Sequence, residues 1–356
     1  MDCVLLINSI KKRCNMRNKN DNASGSELHI FQDKSLDFCA IISLKKYERG
    51  PALGGCRFLS YPSLEAAIKD AERLAHAMSY KAAMSDLPHD GGKAVIIRSQ
   101  RSIDHTSILK RFAECVGSLK GRYITTIDSG TTQADMSIIK NHTSYVTGIL
   151  EEDDPSVSTA LGVFTGIQAA VKLLNGRDNL AGLHVAIQGA GSVGYLLADS
   201  LHQAGARLTV CDIDPVRAER CKNEFNATIV DPAAIYAVPC DIFAPCALGQ
   251  IINPLTLMQF NTKIIAGAAN DQLATCELAY ELAKRGILYV PDYLINAGGL
   301  IQLALQRQNK NRTVITERVV QIGERILHLA VAAKQQQMTL FAMTEKMAER
   351  ALANCS

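Results

Sequence analysis

Tryptophan is absent from this chain of 356 residues, and aromatic residues of all kinds make up only 5% of it. With few flat side chains, and basic residues scattered along the chain, nothing suggests a nucleic-acid surface or a base-stacking platform. Neither sign of charge is in excess, and the net value of +3 says little about partners. Eleven cysteines form no C-x-x-C pair, which speaks against a zinc site or a disulfide framework and for reduced thiols. A membrane-spanning run is missing from the N-terminus. The apolar stretch from Val4 to Ile10 is too short, and Lys11, Lys12 and Arg13 follow it instead of preceding it as a secretory signal requires. These absences imply a soluble cytoplasmic protein with no metal, no membrane and no nucleic-acid partner. What is present, 47% hydrophobic residues against 21% charged ones, suffices for two domains of ordinary size.

The most informative stretch is Ile187-Gln188-Gly189-Ala190-Gly191-Ser192-Val193-Gly194, which follows the apolar segment Leu183 to Ala186. It reads as a dinucleotide-binding turn. Gly189 permits a tight turn, Gly191 lets a pyrophosphate approach the backbone, and Gly194 lets helix and strand pack closely, while Ser192 and Val193 open the helix. A second apolar run, Leu208 to Cys211, ends on Asp212, where an acidic residue meets a ribose hydroxyl pair. Asp212 and Asp214 are followed by no cation until Arg217, which favours NAD over a cofactor carrying a 2′-phosphate. Asp214 before Pro215 reads more simply as a helix cap.

Along the chain, 1–27 reads as a polar leader and 28–150 as a first domain. It begins with a hairpin of Ile30-Phe31 and Phe38 to Ile42, followed by an amphipathic helix from Ser63 to Tyr80. A buried strand at Val95 to Ile97, a helix from Ile108 to Leu119, a strand at Tyr123 to Thr125 and a short helix from Ala134 to Lys140 complete it. The acidic, proline-broken stretch Glu151 to Pro155 suits a hinge. Over 151–310, strands at Leu183, Leu208, Thr228, Asp241, Ile264 and Leu288 alternate with helices, which predicts a doubly wound, mostly parallel α/β sheet of Rossmann type. Helices over 311–356 are expected to return to the first domain.

Three polar residues stand where a plain core has none. Lys81 ends an apolar helix face, Lys93 follows a Gly91-Gly92 turn and precedes a buried strand, and Asp128 ends another strand. Burial and a second lysine nearby both lower a lysine pKa, which suits Lys93 to act as a base. Snorkelling of Lys81 and capping by Lys93 or Asp128 explain each residue alone equally well.

Taken together, the motifs weigh against those simpler readings. The chain resembles the amino-acid dehydrogenases of the Glu/Leu/Phe/Val family from about Leu28 to about Ala353, and within it most of all the branch acting on leucine. The resemblance rests on Gly50-Pro51-Ala52-Leu53-Gly54-Gly55-Cys56-Arg57, Met78-Ser79-Tyr80-Lys81, Gly91-Gly92-Lys93, Arg122 to Thr125 with Asp128 and Gly130-Thr131-Thr132, Asp241 to Gly249, Ala266 to Asn270, and Pro291 to Gly299. It implies reversible oxidative deamination of an L-amino acid with NAD, in a homo-oligomer. By this similarity Lys81 holds the substrate carboxylate, Lys93 activates water and Asp128 binds the amino group. Leu53, Gly54, Gly55, Met78, Leu300 and Leu303 would surround the substrate. Ala244, Pro245, Cys246, Ala268, Asn270 and Asn296 would approach the cofactor.

Leu53 stands where glutamate dehydrogenases carry a lysine for the side-chain carboxylate, so an apolar substrate is expected: leucine first, with valine and isoleucine. Leu300 and Leu303 replace the valines of leucine dehydrogenases, implying a pocket of different shape. Asp90 replaces a family glycine and is expected to raise the Lys93 pKa or distort its loop; His89 beside it reads as a partly exposed turn residue. Two alternatives follow: a phenylalanine or other aromatic amino-acid dehydrogenase, and an NAD-binding regulatory homologue impaired by Asp90.

Overall fold

The computed structural model describes residues 26–99, 104–149, 154–247 and 249–353. The leader expected over 1–27 and the hinge expected over 151–155 lie mostly outside them. Strands β1 (Ser26–Asp33) and β2 (Phe38–Lys45) form the expected hairpin, paired antiparallel from Ser26↔Lys45 to Asp33↔Phe38. β2 runs antiparallel to β4 (Asp90–Ile97), which is parallel to β3 (Ala52–Leu59), and β3 is parallel to β5 (Tyr123–Ile127). The sheet order is therefore β1-β2-β4-β3-β5. No periodicity announced β3, because Gly54 and Gly55 interrupt its apolar run.

Helix α1 (Leu64–Met84) starts where the sequence indicated, with the Ser63 hydroxyl accepting the Ala66 N–H at 3.1 Å. It runs beyond Tyr80 to Met84, so Lys81 sits inside the last turn and not at the helix end. The glycines ahead of Lys93 also need correcting: Gly91 and Gly92 lie within β4 and make no turn. They are small because backbones meet there. A Cβ on Gly91 would run into the Ala75 carbonyl of α1, and one on Gly54 would run into the Gly92 carbonyl of the neighbouring strand. Helices α2 (His105–Ser118) and α3 (Gln133–Lys140) complete the first lobe.

Two further expectations fail at the start of β4. Asp90 is buried, and its carboxylate accepts the backbone N–H groups of Tyr47 at 3.2 Å and Arg49 at 3.3 Å, so it organises the β2–β3 loop. The strongest charges acting on Lys93 are those of Arg57, Lys81 and Asp70, with Asp90 not among them. His89 is buried as well, with Nδ1 3.0 Å from the Pro51 carbonyl oxygen.

Helix α4 (Pro155–Asn175), capped by Asp154 with Pro155 in its first turn, leads into the second lobe. It is long and apolar enough to cross a membrane by length and composition, but here α5, α10 and α11 pack on it. The second sheet contains β6 (His184–Gln188), β7 (Arg207–Cys211), β8 (Thr228–Ile229), β9 (Ile242–Pro245), β10 (Ile264–Ile265) and β11 (Leu288–Tyr289), all parallel. Their order is β11-β10-β9-β6-β7-β8. The direction of winding reverses between β6 and β9, and a crevice opens at their carboxyl ends. Helices α5 (Ser192–Gln203), α6 (Pro215–Phe225), α7 (Pro254–Leu257), α8 (Glu277–Lys284) and α9 (Asp292–Ile295) connect these strands or follow them.

The chain then forms α10 (Gly298–Arg307), α11 (Arg312–Gln335) and α12 (Leu340–Ala353). These helices return to the first lobe. Arg318 and Arg325 of α11 donate to the carbonyls of Ser85 (3.1 Å) and Met84 (2.6 Å), and Arg49 donates to the Ala351 carbonyl at 2.9 Å.

Replacing Asp90 by glycine removes the acceptor of at least two backbone N–H groups, that of Tyr47 buried and that of Arg49 partly so. The Asp90→Gly protein is expected to lose about 1–3 kcal/mol in urea unfolding. A midpoint equal to that of the parent protein would show that the loop needs no carboxylate.

Candidate active site

A cleft of about 280 Å³ separates the two lobes. The first lobe contributes Gly55 and Arg57 of β3, Met78 and Lys81 of α1, Lys93 of β4 and Asp128 after β5; the second contributes Val193, Ala268, Asn270, Asp292, Asn296, Leu300 and Leu303. The charged groups and the apolar side chains thus come from segments far apart in the chain.

Lys93 forms an ion pair with the Oδ2 atom of Asp128. Burial holds the Lys93 ammonium pKa well below the ordinary lysine value, and the neighbouring cations Arg57 and Lys81 push it the same way. Asp128 is fixed by the turn that carries it. Its own N–H donates to the Thr131 hydroxyl at 3.0 Å, which in turn reaches the Cys56 carbonyl at 3.0 Å, and Ser129 N–H donates to Oδ1 at 2.7 Å. Gly55 has no side chain for a reason visible here: a Cβ would lie 2.7 Å from that of Asp128.

Lys81 reaches across the cleft. Its ammonium donates to Oδ1 of Asn270 at 2.8 Å, an oxygen that also accepts from the Asn296 amide at 2.9 Å. Burial lowers the Lys81 pKa to about 8, with the Asp292 carboxylate opposing the shift. Burial also raises the Asp292 carboxyl pKa. The Asn296 amide donates to the Ala268 carbonyl at 3.0 Å, while its Oδ1 is buried without a hydrogen-bond partner among the described residues. That atom remains an acceptor for a donor brought by a ligand.

The glycine turn meets the demands of a dinucleotide. Gly189 has φ +97, where L side chains are strained, and a Cβ there would lie 2.8 Å from that of Ala247. A Cβ on Gly194 would strike the Gly189 carbonyl, so helix and strand touch. The space around Gly191 is open, with only Arg217 Nη1 within 4 Å of a Cβ position, at 3.8 Å. Asp212 accepts the Ala190 N–H at 2.7 Å and the Asp214 N–H at 2.8 Å, which leaves lone pairs on both oxygens for hydroxyl donors. Asp214 caps α6 through the Val216 N–H, and Arg217 is ion-paired to it at 3.3 Å. A cation therefore stands at the turn after all, partly neutralised by that carboxylate.

The structure brings Lys81, Lys93, Asp128, Gly55, Met78, Leu300, Leu303, Val193, Ala268, Asn270 and Asn296 to one cleft. Leu53 and Gly54 do not line it: Leu53 is 1% exposed within the apolar core, and the Gly54 carbonyl is held by the Tyr123 hydroxyl at 2.8 Å. Ala244 and Pro245 end β9 beside β6, and Cys246 donates its N–H to the Gln188 carbonyl at 2.7 Å; none of the three lines the cleft. Sequence reasoning gave no role to Arg57 or Asp292, although both stood in the quoted motifs. The signal lay in their setting, since a charged residue inside an otherwise apolar run needs a partner. Among the described residues, no group of three or more His, Cys, Asp or Glu side chains could hold a metal ion.

Comparison with known proteins agrees with this geometry. Residues 29–145 match the profile of the Glu/Leu/Phe/Val dehydrogenase dimerisation domain, and residues 209–351 match that of glutamate/leucine/phenylalanine/valine dehydrogenase. The leucine dehydrogenase of Geobacillus stearothermophilus is 44% identical over 322 residues, covering 89% of this chain and 88% of that protein. An L-tryptophan dehydrogenase of Nostoc punctiforme is 42% identical over 93% of this chain and 94% of that protein. The crystal structure of L-tryptophan dehydrogenase from Nostoc punctiforme superimposes with a TM-score of 0.78 at 40% identity, covering 92% of this chain and 96% of that one. Two lobes closing on paired lysines and an aspartate, with a dinucleotide turn opposite, and matches of this extent place the chain in the Glu/Leu/Phe/Val family of amino-acid dehydrogenases.

Proposed function

We propose that this amino-acid dehydrogenase carries out the reversible, NAD-dependent oxidative deamination of an apolar branched L-amino acid, leucine first, to its 2-oxo acid and ammonia, as a homo-oligomer. The observation that carries the reading is the meeting of Lys81, Lys93 and Asp128 in a cleft that the apolar side chains of Met78, Leu300 and Leu303 also line. NAD, when bound, accepts the hydride from Cα. The other steps belong to side chains of this chain. Lys81 exchanges its bond to the neutral Asn270 amide for one to the substrate carboxylate, so that its charge gains a counter-ion. Asp128 takes a proton from the amino group and later returns it to the departing ammonia. Lys93, its pKa lowered by burial, removes a proton as the neutral amine from the water that attacks the imine. Closure of the lobes excludes bulk water while the hydride moves.

The side-chain pocket supports leucine over glutamate because Met78, Leu300 and Leu303 present no cation to a second carboxylate. The aromatic alternative draws on the similar identity to the tryptophan dehydrogenase. The impaired regulatory alternative depended on Asp90 disturbing Lys93, and that carboxylate is engaged by the β2–β3 loop.

NADH production from a panel of L-amino acids at alkaline pH is expected to rank leucine, isoleucine and valine above phenylalanine and tryptophan. Lys93→Ala should lower turnover about a hundredfold or more. A preference for an aromatic substrate would select the alternative, and turnover unaffected by Lys93→Ala would remove Lys93 from the reaction.

The Lys81 pKa of about 8 sets a pH dependence that can be measured without a substrate amine. Below that pH the side chain is charged and pairs with a carboxylate; above it the charge is lost. The dissociation constant of the 2-oxo acid should therefore rise about tenfold per pH unit above about pH 8. Lys81→Gln should bind weakly and without that slope, and a retained slope would assign the titration to another group.

Asp212→Ala should weaken NAD binding about tenfold or more while leaving 2-oxo acid affinity unchanged. An unaltered NAD constant would take Asp212 out of the cofactor site.

A further inference from the structure

We propose that Arg57 is a positioning residue of this reaction: it receives the Asp128 carboxylate when that group parts from Lys93, and so releases Lys93 to work as the base. The proposal rests on the roles given above to Lys93 and Asp128.

Arg57 lies on β3 and lines the cleft. Its Nη1 atom is anchored to Asp70 Oδ2 at 2.9 Å. Its Nε–H is buried and has no hydrogen-bond partner among the described residues, yet Nε is 3.6 Å from Oδ2 of Asp128. That is a few tenths of an ångström beyond hydrogen-bond reach. The same oxygen is the one paired with Lys93, so two cations compete for one acceptor. A small movement passes the oxygen from ammonium to guanidinium, and the buried donor gains the bond it lacks.

Such a transfer answers a chemical need. A base must be neutral, whereas contact with a carboxylate keeps the proton on the lysine. Arg57 stays charged at every working pH and can hold the carboxylate in its place. The charged and titratable groups acting on Lys93 are Arg57 and Cys56 of β3, Asp70 and Lys81 of α1, and Asp128 after β5. Arg57 and Lys81 favour the neutral amine, while Asp70 opposes them. The anchor is itself held firmly, because Asp70 also accepts from the Tyr61 hydroxyl at 2.7 Å and from Arg73 at 2.6 Å. Arg73 in turn pairs across the cleft with Asp271 of the second lobe. The ladder Asp128–Arg57–Asp70–Arg73–Asp271 therefore links the position of Arg57 to the second lobe.

The test uses the full-length protein with Arg57→Gln and Arg57→Lys. For Arg57→Gln, kcat with leucine should fall about ten- to a hundredfold with little change in the amino-acid KM. The acid limb of its pH profile should move to higher pH by on the order of one unit. Arg57→Lys keeps the charge and should restore the limb while leaving kcat reduced about tenfold. Acetic anhydride labelling of Lys93 against pH, read by mass spectrometry without substrate, should show the same displacement for Arg57→Gln. A folded Arg57→Gln protein with both the limb and the labelling midpoint unmoved would overturn the proposal. If that variant does not fold, a parent-like kcat in Arg57→Lys overturns it instead. Should the parent protein oxidise no amino acid, the functional reading fails, and the labelling midpoint still decides the part played by Arg57.

Discussion

The burial of the Lys93–Asp128 pair is the constraint on which the rest of the site depends. Each ion removed from water costs several kcal/mol, which the partner offsets only if the remaining donors and acceptors are also satisfied. That demand explains why the turn after β5 is pinned by Thr131, and why Gly55 has no side chain to displace the carboxylate. It also explains why Arg57, Asp70 and Arg73 follow one another with alternating charge beside it. Asp70 is the shared acceptor of this row, since Arg57, Arg73 and the Tyr61 hydroxyl all donate to it.

Neither lobe completes this arrangement alone. Lys81 ends on Asn270, and Arg73 on Asp271, so the first lobe's cations find acceptors in the second. The residues 270 and 271 follow β10, one of the strands whose carboxyl ends border the crevice. The C-terminal helices fasten the lobes at another point, through Arg318 and Arg325 on the end of α1. A carboxylate ligand entering the cleft meets an ammonium already detained by a neutral amide, which it can replace with a full charge.

Much of this was legible in the chain. The glycine turn was readable because each of its three glycines has a separate local reason, and all three reasons recur in the structure as a positive φ, an open face and a close contact. The alternation of strands and helices after Pro155 was readable because buried parallel strands are short apolar runs between helices. The places that misled were those where a residue answers to a distant neighbour. Gly91 and Gly92 looked like a turn because nothing near them in sequence reveals that α1 crosses β4 at backbone contact. Asp90 looked like a threat to Lys93 three residues away, although alternation along a strand does not decide which loop a carboxylate will serve.

Leu53 marks the same boundary. Its apolar character was evident, but only the fold shows it beneath the cleft wall instead of on it. By itself, the sequence determined the two lobes, the glycine turn and the helix caps, because these follow from local backbone preference and hydrophobic period, while the two lysines and the aspartate stood out only through the resemblance of their motifs to the family. Tertiary structure alone decided which charges meet, which glycines are fillers between crossing backbones, and that Arg57 stands beside Asp128. Those are relations between segments up to hundreds of residues apart, set by packing and by the cost of leaving a buried charge unpaired.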